Sequence, residues 1–231
     1  MKKIAVFLPD LPQLSYLKPI EQSLSFLTPE YGLDFIDPYE IHEEVSNEFY
    51  YTKWQERIKN CDTQYDAFLG FSFGGVILQQ CFPILECLEK PLLLFSTPSF
   101  ANERLRTKLN RVIELCRKQR VQEGLQYLYQ HVSRRALPTT TFPLDNEIET
   151  AQRIIFGLQR VIDTDATEMI RNTQLSYTHF IGEASNLVKR ENVILGENGT
   201  LWVVPKAGMR VLQDNLPFCQ TKILEVLHCE H

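Results

Sequence analysis

The sequence predicts an α/β fold with a mostly parallel central sheet, flanking helices and a helical insertion after the fourth strand. Short unbroken apolar runs alternate with segments of helical periodicity, the pattern of βαβ units whose strands are buried on both faces. The alternation stops between residues 99 and 172, where apolar residues recur only at helical spacing. A chain of 231 residues suits one well-buried core better than two ordinary domains.

The predicted elements follow one another in a regular order. Strands are predicted at residues 3–8, 33–36, 65–71 and 91–95, and helices at residues 17–27, 50–60 and 74–88, the last with a break at Pro83. After the insertion, strands are predicted at residues 176–181 and 200–204, followed by a closing helix at residues 211–227. We therefore expect a core formed by residues 1–98 and 173–231 and a helical cap formed by residues 99–172.

Composition and charge exclude several classes of protein. The formal charge of −5 argues against a dedicated nucleic-acid binder. No apolar run approaches the length needed to span a membrane, and Pro9-Asp10 interrupts the first apolar stretch too early for an export signal. The six cysteines form no Cys-x-x-Cys pair, which indicates reduced thiols. We expect a cytoplasmic protein with no metal site and no cofactor.

The most specific motif is Gly-Phe-Ser-Phe-Gly at residues 70–74. A buried strand is predicted directly before it and a helix directly after it, which is the setting of a nucleophile elbow. In such a turn the serine is strained, and glycines avoid collisions with closely packed neighbours. The helix N-terminus also presents backbone N–H groups to developing negative charge. Ser72 is therefore a candidate nucleophile, and the alternative is an ordinary strand-to-helix turn in another α/β fold.

Several segments of the sequence, including the motif at residues 70–74, resemble motifs of the α/β-hydrolase superfamily. They stand in the same order and cover nearly the whole sequence. The run V-F-L-P-D-L at residues 6–11 occupies the place of the superfamily's oxyanion loop. F-I-G-E-A-S at residues 180–185 resembles the strand that supplies the acid, and V-V-P-K-A-G-M at residues 203–209 resembles the segment that supplies the histidine. The resemblance implies an oxyanion hole from the amides of Leu11 and Phe73, with Ser185 at the acid position and Met209 at the base position.

Within the superfamily, the insertion and the C-terminal segment are similar to the pimeloyl-acyl-carrier-protein methyl ester esterases of biotin synthesis. The similarity lies in F-S-T-P-S-F at residues 95–100, G-L-Q-R-V-I-D at residues 157–163 and K-A-G-M at residues 206–209. It implies a small acyl ester or thioester as substrate or ligand, and acyl-carrier protein as a partner.

Three positions depart from the superfamily's pattern. Ser185 replaces aspartate, Met209 replaces histidine, and Pro9-Asp10 replaces His-Gly. Methionine cannot accept a proton, and serine cannot hold an imidazole in its working tautomer. A serine hydroxyl without an adjacent base is a poor nucleophile at neutral pH. Two interpretations therefore stay open: a serine carboxylesterase or thioesterase with a rearranged triad, or a catalytically inactive pseudohydrolase that binds a ligand or protein partner.

A rearranged triad would need its base from another histidine. His42 is the candidate, because it follows the second strand at the carboxyl edge of the sheet, where ligands bind in α/β folds. The competing interpretation of His42 is a surface loop residue. His179 is expected inside a strand, His131 on a helix of the insertion and His228 at the far end of the last helix.

Basic residues cluster on the first predicted helix of the insertion. Arg104, Lys108, Arg111 and Lys118 share one face, opposite the apolar stripe. Such a face suits the docking of an acidic partner such as a carrier protein, or the binding of a phosphate-bearing ligand. The alternative is a solvated helix face without a partner.

Overall fold

In the computed structural model, the chain forms a six-stranded sheet with helices on both faces. The structure describes residues 1–42, 46–61, 64–134 and 141–228. All neighbouring strands are parallel, in the order β2-β1-β3-β4-β5-β6. The strands are β1 (Lys2–Phe7), β2 (Tyr31–Ile36), β3 (Ala67–Phe71), β4 (Leu92–Phe95), β5 (Tyr177–Gly182) and β6 (Gly199–Val204). The predicted fold class is confirmed.

The helices of the described residues alternate with these strands as predicted. They are α1 (Lys18–Leu24), α2 (Asn47–Asn60), α3 (Phe73–Gln80), α4 (Phe82–Leu88), α5 (Glu103–Arg117), α6 (Val121–Val132), α7 (Glu147–Asp163), α8 (Thr167–Asn172), α9 (Val211–Asp214) and α10 (Leu216–His228). Pro83 lies in the first turn of α4, where proline is tolerated. The predicted closing helix is divided in two at Asn215.

Side-chain caps explain where the longer helices begin. Ser46 accepts a hydrogen bond from the Phe49 amide before α2, and Asn102 accepts one from the Leu105 amide before α5. Asn146 accepts hydrogen bonds from two amides at the start of α7. Each cap satisfies a backbone donor that the helix itself leaves without an acceptor.

Two apolar cores lie on the two faces of the sheet. Alternate residues of β1 divide between them: Ile4 and Val6 face the core that includes α1 and α10, whereas Ala5 and Phe7 face the larger core that includes α2 and α3. Strands buried on both faces are the expected consequence of parallel βαβ connections.

The strand order reverses between β1 and β3. The chain leaves β1 towards β2 on one side and leaves β3 towards β4 on the other. Such a switch point opens a crevice at the carboxyl ends of the two strands, where ligands bind in α/β folds. The loop after β1 and the turn after β3 therefore border the same space.

Helices α5 to α8 stand between β4 and β5 and form what we call the four-helix insertion. Helix α5 packs against both α6 and α7. Two short 3-10 turns flank α1, and a third follows β2. Among the helices described, none combines the length and the apolar character that crossing a membrane requires.

Candidate functional site

Ser72 occupies the sharp turn between β3 and α3. Its φ of 48° and ψ of −110° lie outside the regions that ordinary residues favour. Strain of this kind is typical of an elbow that projects a serine from the end of a strand. The Ser72 amide donates a 2.9 Å hydrogen bond to the Phe95 carbonyl of β4, which holds the turn at the carboxyl edge of the sheet.

Glycine at position 74 makes the elbow sterically possible. A Cβ on Gly74 would lie 2.5 Å from the carbonyl oxygen of Leu8 and closer still to that of Phe7. A Cβ on Gly70 would lie 2.7 Å from the Cα of Gly75. The φ angles of these glycines are not positive, so the motif requires glycine for close packing rather than for an unusual backbone conformation.

Ser72 borders a largely apolar cavity of about 370 Å³. The four-helix insertion contributes Leu128, Tyr129, Val132 and Leu158 to its wall. The remaining wall residues are Pro9, Asp10, Leu11, Tyr16, Pro19, Ile20, Phe71, Phe95, Ser96, Leu187, Met209, Arg210, Val211, Leu212 and Gln213. A concave apolar cavity with few polar groups is the usual form of a small-molecule site. A smaller cavity of about 180 Å³, bordered by Phe7 and Tyr65, shares no residue with it.

Of the two residues whose amides were predicted to form an oxyanion hole, Leu11 lines this cavity and Phe73 directly follows Ser72, which borders it. Phe73 is the first residue of α3, so its amide is among those that the helix leaves without an intrahelical acceptor. Leu11 lies in the loop after β1 and is buried. The Leu11 carbonyl accepts a 3.2 Å hydrogen bond from Nε of Arg153, which holds the loop against α7.

Ser185 and Met209, which the superfamily resemblance assigns to the acid and base positions, lie in the loops after β5 and β6. Met209 lines the cavity, and its carbonyl accepts a 2.7 Å hydrogen bond from the Ser96 hydroxyl. Ser185 is buried, and its hydroxyl has no hydrogen-bond partner among the described residues. Neither side chain can take a proton from Ser72 or orient an imidazole. Ser185 and Met209 therefore cannot act as the acid and the base of a triad with Ser72.

The structure does not bring His42 to Ser72. The imidazole is exposed and stacks on Tyr39, with Nδ1 3.0 Å from the Tyr39 carbonyl, because the 3-10 turn after β2 directs it outward. His131 Nδ1 lies 2.9 Å from the carbonyl of Tyr127 in its own helix. In the described part of the chain, no histidine borders the cavity and no three potential metal ligands stand together.

His179 lies inside β5 as predicted and is fully buried. Its Nε2 accepts a 3.2 Å hydrogen bond from the Thr97 amide. Burial, assisted by the nearby Arg190 charge, lowers the pKa of His179 to about 3. The imidazole is therefore neutral at physiological pH and supports the end of β4.

A buried ion pair that no sequence motif revealed joins the four-helix insertion to the turn after β2. Nη2 of Arg153 in α7 donates to both carboxylate oxygens of Asp37, at 2.9 and 2.8 Å. The two side chains are only 7% and 13% exposed, and the Arg153 guanidinium lies over the Tyr39 ring. Because Arg153 also donates to the Leu11 carbonyl, it orients the Leu11 loop. No local pattern signals the pair, because its partners are 116 residues apart.

A second charge that no sequence motif revealed lies in the cavity wall beside Met209. Arg210 directly follows Met209, and its guanidinium carbon lies 4.8 Å from the ring centroid of Tyr129 in α6. Burial raises the pKa of Tyr129 to about 12, and the Arg210 charge opposes that rise. The Arg210–Tyr129 contact ties the loop after β6 to the four-helix insertion. Adjacency to Met209 was the one sequence signal that could have identified Arg210.

The predicted basic face on α5 is present but unevenly neutralised. Arg111 and Lys118 both pair with Glu114, at 3.1 and 2.5 Å. Nζ of Lys108 donates to the carbonyl of Asn186, in the loop after β5. Burial lowers the pKa of Lys108, and the charges of Arg104 and Lys189 lower it further. The positive charge is therefore concentrated at the N-terminal half of α5, around Arg104.

No protein-family model matches the sequence, and no curated protein matches it detectably. Solved structures do match the fold. An esterase from Exiguobacterium antarcticum aligns with a TM-score of 0.71 at 13% identity, over 98% of this chain and 92% of that chain. The α/β hydrolase MGS-M2 from a Medee basin deep-sea metagenome library gives 0.77 at 11% identity, over 100% and 90%. MenH from S. aureus gives 0.67 at 13% identity, over 97% and 93%.

Identities this low establish the architecture and leave the chemistry to be argued from the residues themselves. These matches cover almost the whole of each chain. The chain has the α/β-hydrolase fold.

Proposed function

We propose that the protein binds a small acyl compound in the cavity above Ser72 and does not hydrolyse it by an efficient catalytic triad. In this proposal the amides of Leu11 and Phe73 face the acyl carbonyl, and the apolar wall holds the chain. One observation carries the proposal: the cavity wall contains Met209 where the base would stand, and no histidine among the described residues. Without a base, the Ser72 hydroxyl stays protonated and weakly nucleophilic.

In the same proposal, residues 99–172 act as a cap over a core of residues 1–98 and 173–231. Support comes from Leu128, Tyr129 and Leu158, which the four-helix insertion places in the wall of the cavity. Water exclusion by such a cover strengthens every polar contact made inside the cavity.

A second candidate function is slow hydrolysis of a carboxylic ester or thioester. It is favoured by the strained backbone of Ser72, which a pure binding protein has no need to keep. Serine hydrolases stripped of triad members retain ~10³–10⁴-fold catalysis over water from the oxyanion hole and substrate binding. The esterase among the structural neighbours is consistent with this candidate.

Installing the missing triad should distinguish the two candidates. In Ser185→Asp/Met209→His, we expect hydrolysis of p-nitrophenyl butyrate to rise by about 10²-fold or more, a small part of the ~10⁶ that a complete triad contributes. Reaction of Ser72 with a fluorophosphonate, followed by intact mass, should accelerate in parallel. The wild-type protein should label slowly.

Two controls make this experiment decisive. Adding Ser72→Ala to the double variant should abolish both hydrolysis and labelling. Turnover of p-nitrophenyl butyrate by the wild-type protein above the uncatalysed rate would favour slow hydrolysis over binding alone, and rapid labelling and turnover would contradict the binding proposal. A folded double variant that gains nothing would show that Ser185 and Met209 do not occupy the acid and base positions.

We further propose acyl-carrier protein as the partner that presents the acyl group. This proposal is supported by the resemblance of the insertion to the carrier-protein methyl ester esterases and by the positive charge around Arg104. Lys108 contacts the backbone beside Leu187, which lines the cavity, so a partner on this face would stand near the acyl site.

Charge reversal at Arg104 should weaken carrier-protein binding. We expect Arg104→Glu to reduce affinity at low salt by up to about fivefold, since exposed ion pairs contribute little individually, and added salt should remove the difference. Isothermal titration with acyl-carrier protein provides the measurement. Lys222→Glu, the same charge change on α10, should have no effect. Affinity that is indifferent to both salt and Arg104→Glu would exclude this docking face.

A further inference from the structure

Asp10 places a carboxyl group in the wall of the cavity, next to the Leu11 amide. It lies in the loop after β1, where the superfamily pattern has glycine, and lines the same hollow as Ser72. The residue as a whole is half-buried. Its Oδ2 atom is fully buried and has no hydrogen-bond partner among the residues that the structure describes. A buried carboxyl oxygen without a hydrogen-bond donor disfavours the charged form of the group.

Helix α7 is shaped around this carboxyl group. A Cβ on Gly157 would lie 2.6 and 2.7 Å from the two carboxyl oxygens of Asp10. Any larger residue at position 157 would therefore displace the side chain. Packing rather than hydrogen bonding keeps Asp10 in the cavity wall.

The guanidinium of Arg153, the positive charge that acts on Asp10, donates its hydrogen bonds to other acceptors. Arg153 directs Nη2 to both oxygens of Asp37 and Nε to the Leu11 carbonyl. Burial raises the pKa of Asp10 well above its usual range; the Arg153 charge opposes this rise, and the Asp37 charge adds to it. A carboxyl group in such surroundings holds its proton and becomes a hydrogen-bond donor.

We infer that the neutral carboxyl group of Asp10 donates a hydrogen bond to the carbonyl oxygen of the bound acyl compound. Together with the amides of Leu11 and Phe73, it forms a three-donor recognition site. This inference rests on the proposed function and adds a ligand class to it: compounds with a carbonyl acceptor, such as esters, thioesters and ketones. The aspartate that replaces the superfamily's glycine thereby gains a role in specificity.

The charged and titratable groups that face Asp10 come from every element packed around it. They are Asp37 and Tyr39 after β2, Tyr50 of α2, Cys116 of α5, Tyr129 of α6 and Arg153 of α7. Burial raises the pKa of each of the three tyrosines, and that of Cys116 to about 11. These four groups stay neutral over the pH range in which carboxyl groups titrate, so a proton lost there comes from a carboxyl group, and the Asp10 variants identify it.

The test uses 2-octanone, a ketone that presents an acyl-type carbonyl and cannot be hydrolysed. We expect calorimetry to show wild-type affinity falling as the pH rises through the pKa of Asp10. Asp10→Asn, which keeps a donor, should bind at every pH without this dependence. Asp10→Leu should bind about fivefold more weakly at acidic pH, the loss of one neutral hydrogen bond.

A second readout does not depend on any variant. With ¹³C-labelled aspartate, saturating 2-octanone should move the titration midpoint of the Asp10 carboxyl carbon upward, because the ligand binds the protonated form. Equal, pH-independent binding by wild type and both variants would overturn the inference and leave the acyl site intact. Absence of 2-octanone binding to any of them would overturn the inference and the proposed function together.

Discussion

Replacing Arg153 with methionine should lower the free energy of unfolding by about 3–5 kcal/mol, the usual cost of removing one partner from a buried ion pair. The change leaves Asp37 without its bidentate partner and removes the charge that opposes the rise in the Asp10 pKa. Methionine preserves much of the apolar stem, so lost packing contributes little. Urea unfolding followed by circular dichroism measures the effect.

The loss of unfolding free energy caused by Arg153→Met should become smaller as the pH falls. A carboxyl group whose folded-state pKa is raised takes up protons in the folded protein before the unfolded chain does, so acid favours the folded state over that interval. Arg120→Met, which removes an exposed pair with Glu123, is the matched control and should leave the unfolding midpoint almost unchanged. An Arg153→Met protein that unfolds at the wild-type urea concentration would show that this pair does not join α7 to the sheet.

Replacing Gly74 with alanine should destabilise the protein by about 3 kcal/mol or more, at the upper end of the range for overpacking. Alanine is a better helix former than glycine by about 1 kcal/mol. Helix propensity alone therefore predicts that the substitution stabilises the protein. The added methyl group meets the backbone carbonyls of Phe7 and Leu8, which cannot rotate away as a side chain could. Thermal unfolding gives the measurement.

Gly124→Ala in α6 provides the comparison for Gly74→Ala. Its Cβ would lie 3.2 Å from the sulfur of Cys116, a side-chain atom that can shift by a few tenths of an ångström. We therefore expect a change close to zero at this position. Similar losses of stability at both glycines would mean that the elbow is no more tightly packed than α6 is around Gly124.

Gly74 and Arg153 together determine how Ser72 and the Leu11 loop are placed relative to each other. Gly74 allows α3 to approach the end of β1 closely, and Arg153 ties the loop that follows β1 to α7. The candidate site therefore depends on the sheet for the serine and on the four-helix insertion for the opposing loop. A displacement of either would separate Ser72 from the donors proposed to face the same carbonyl.

Local physics explains what could be predicted from the sequence. Alternating apolar runs and helical stripes are properties of short segments, so the six parallel strands and the insertion were predictable, with boundaries shifted by a residue or two. Strand β2 begins at Tyr31 rather than at residue 33 because Tyr31 and Gly32 pair with Lys2 and Lys3. The elbow at Ser72 was predictable for the same reason, since its strand, glycines and helix are contiguous.

The tertiary structure alone decided which charged groups are buried and where they meet. Asp37 and Arg153 are 116 residues apart, and Asp10 is enclosed by helices from four parts of the chain. His42 stands at the predicted edge, yet a turn of three residues directs its ring to solvent. A sequence records which side chains exist and which local structures they favour. The desolvation of a charge depends on all the segments that surround it, and these come together only when the chain folds.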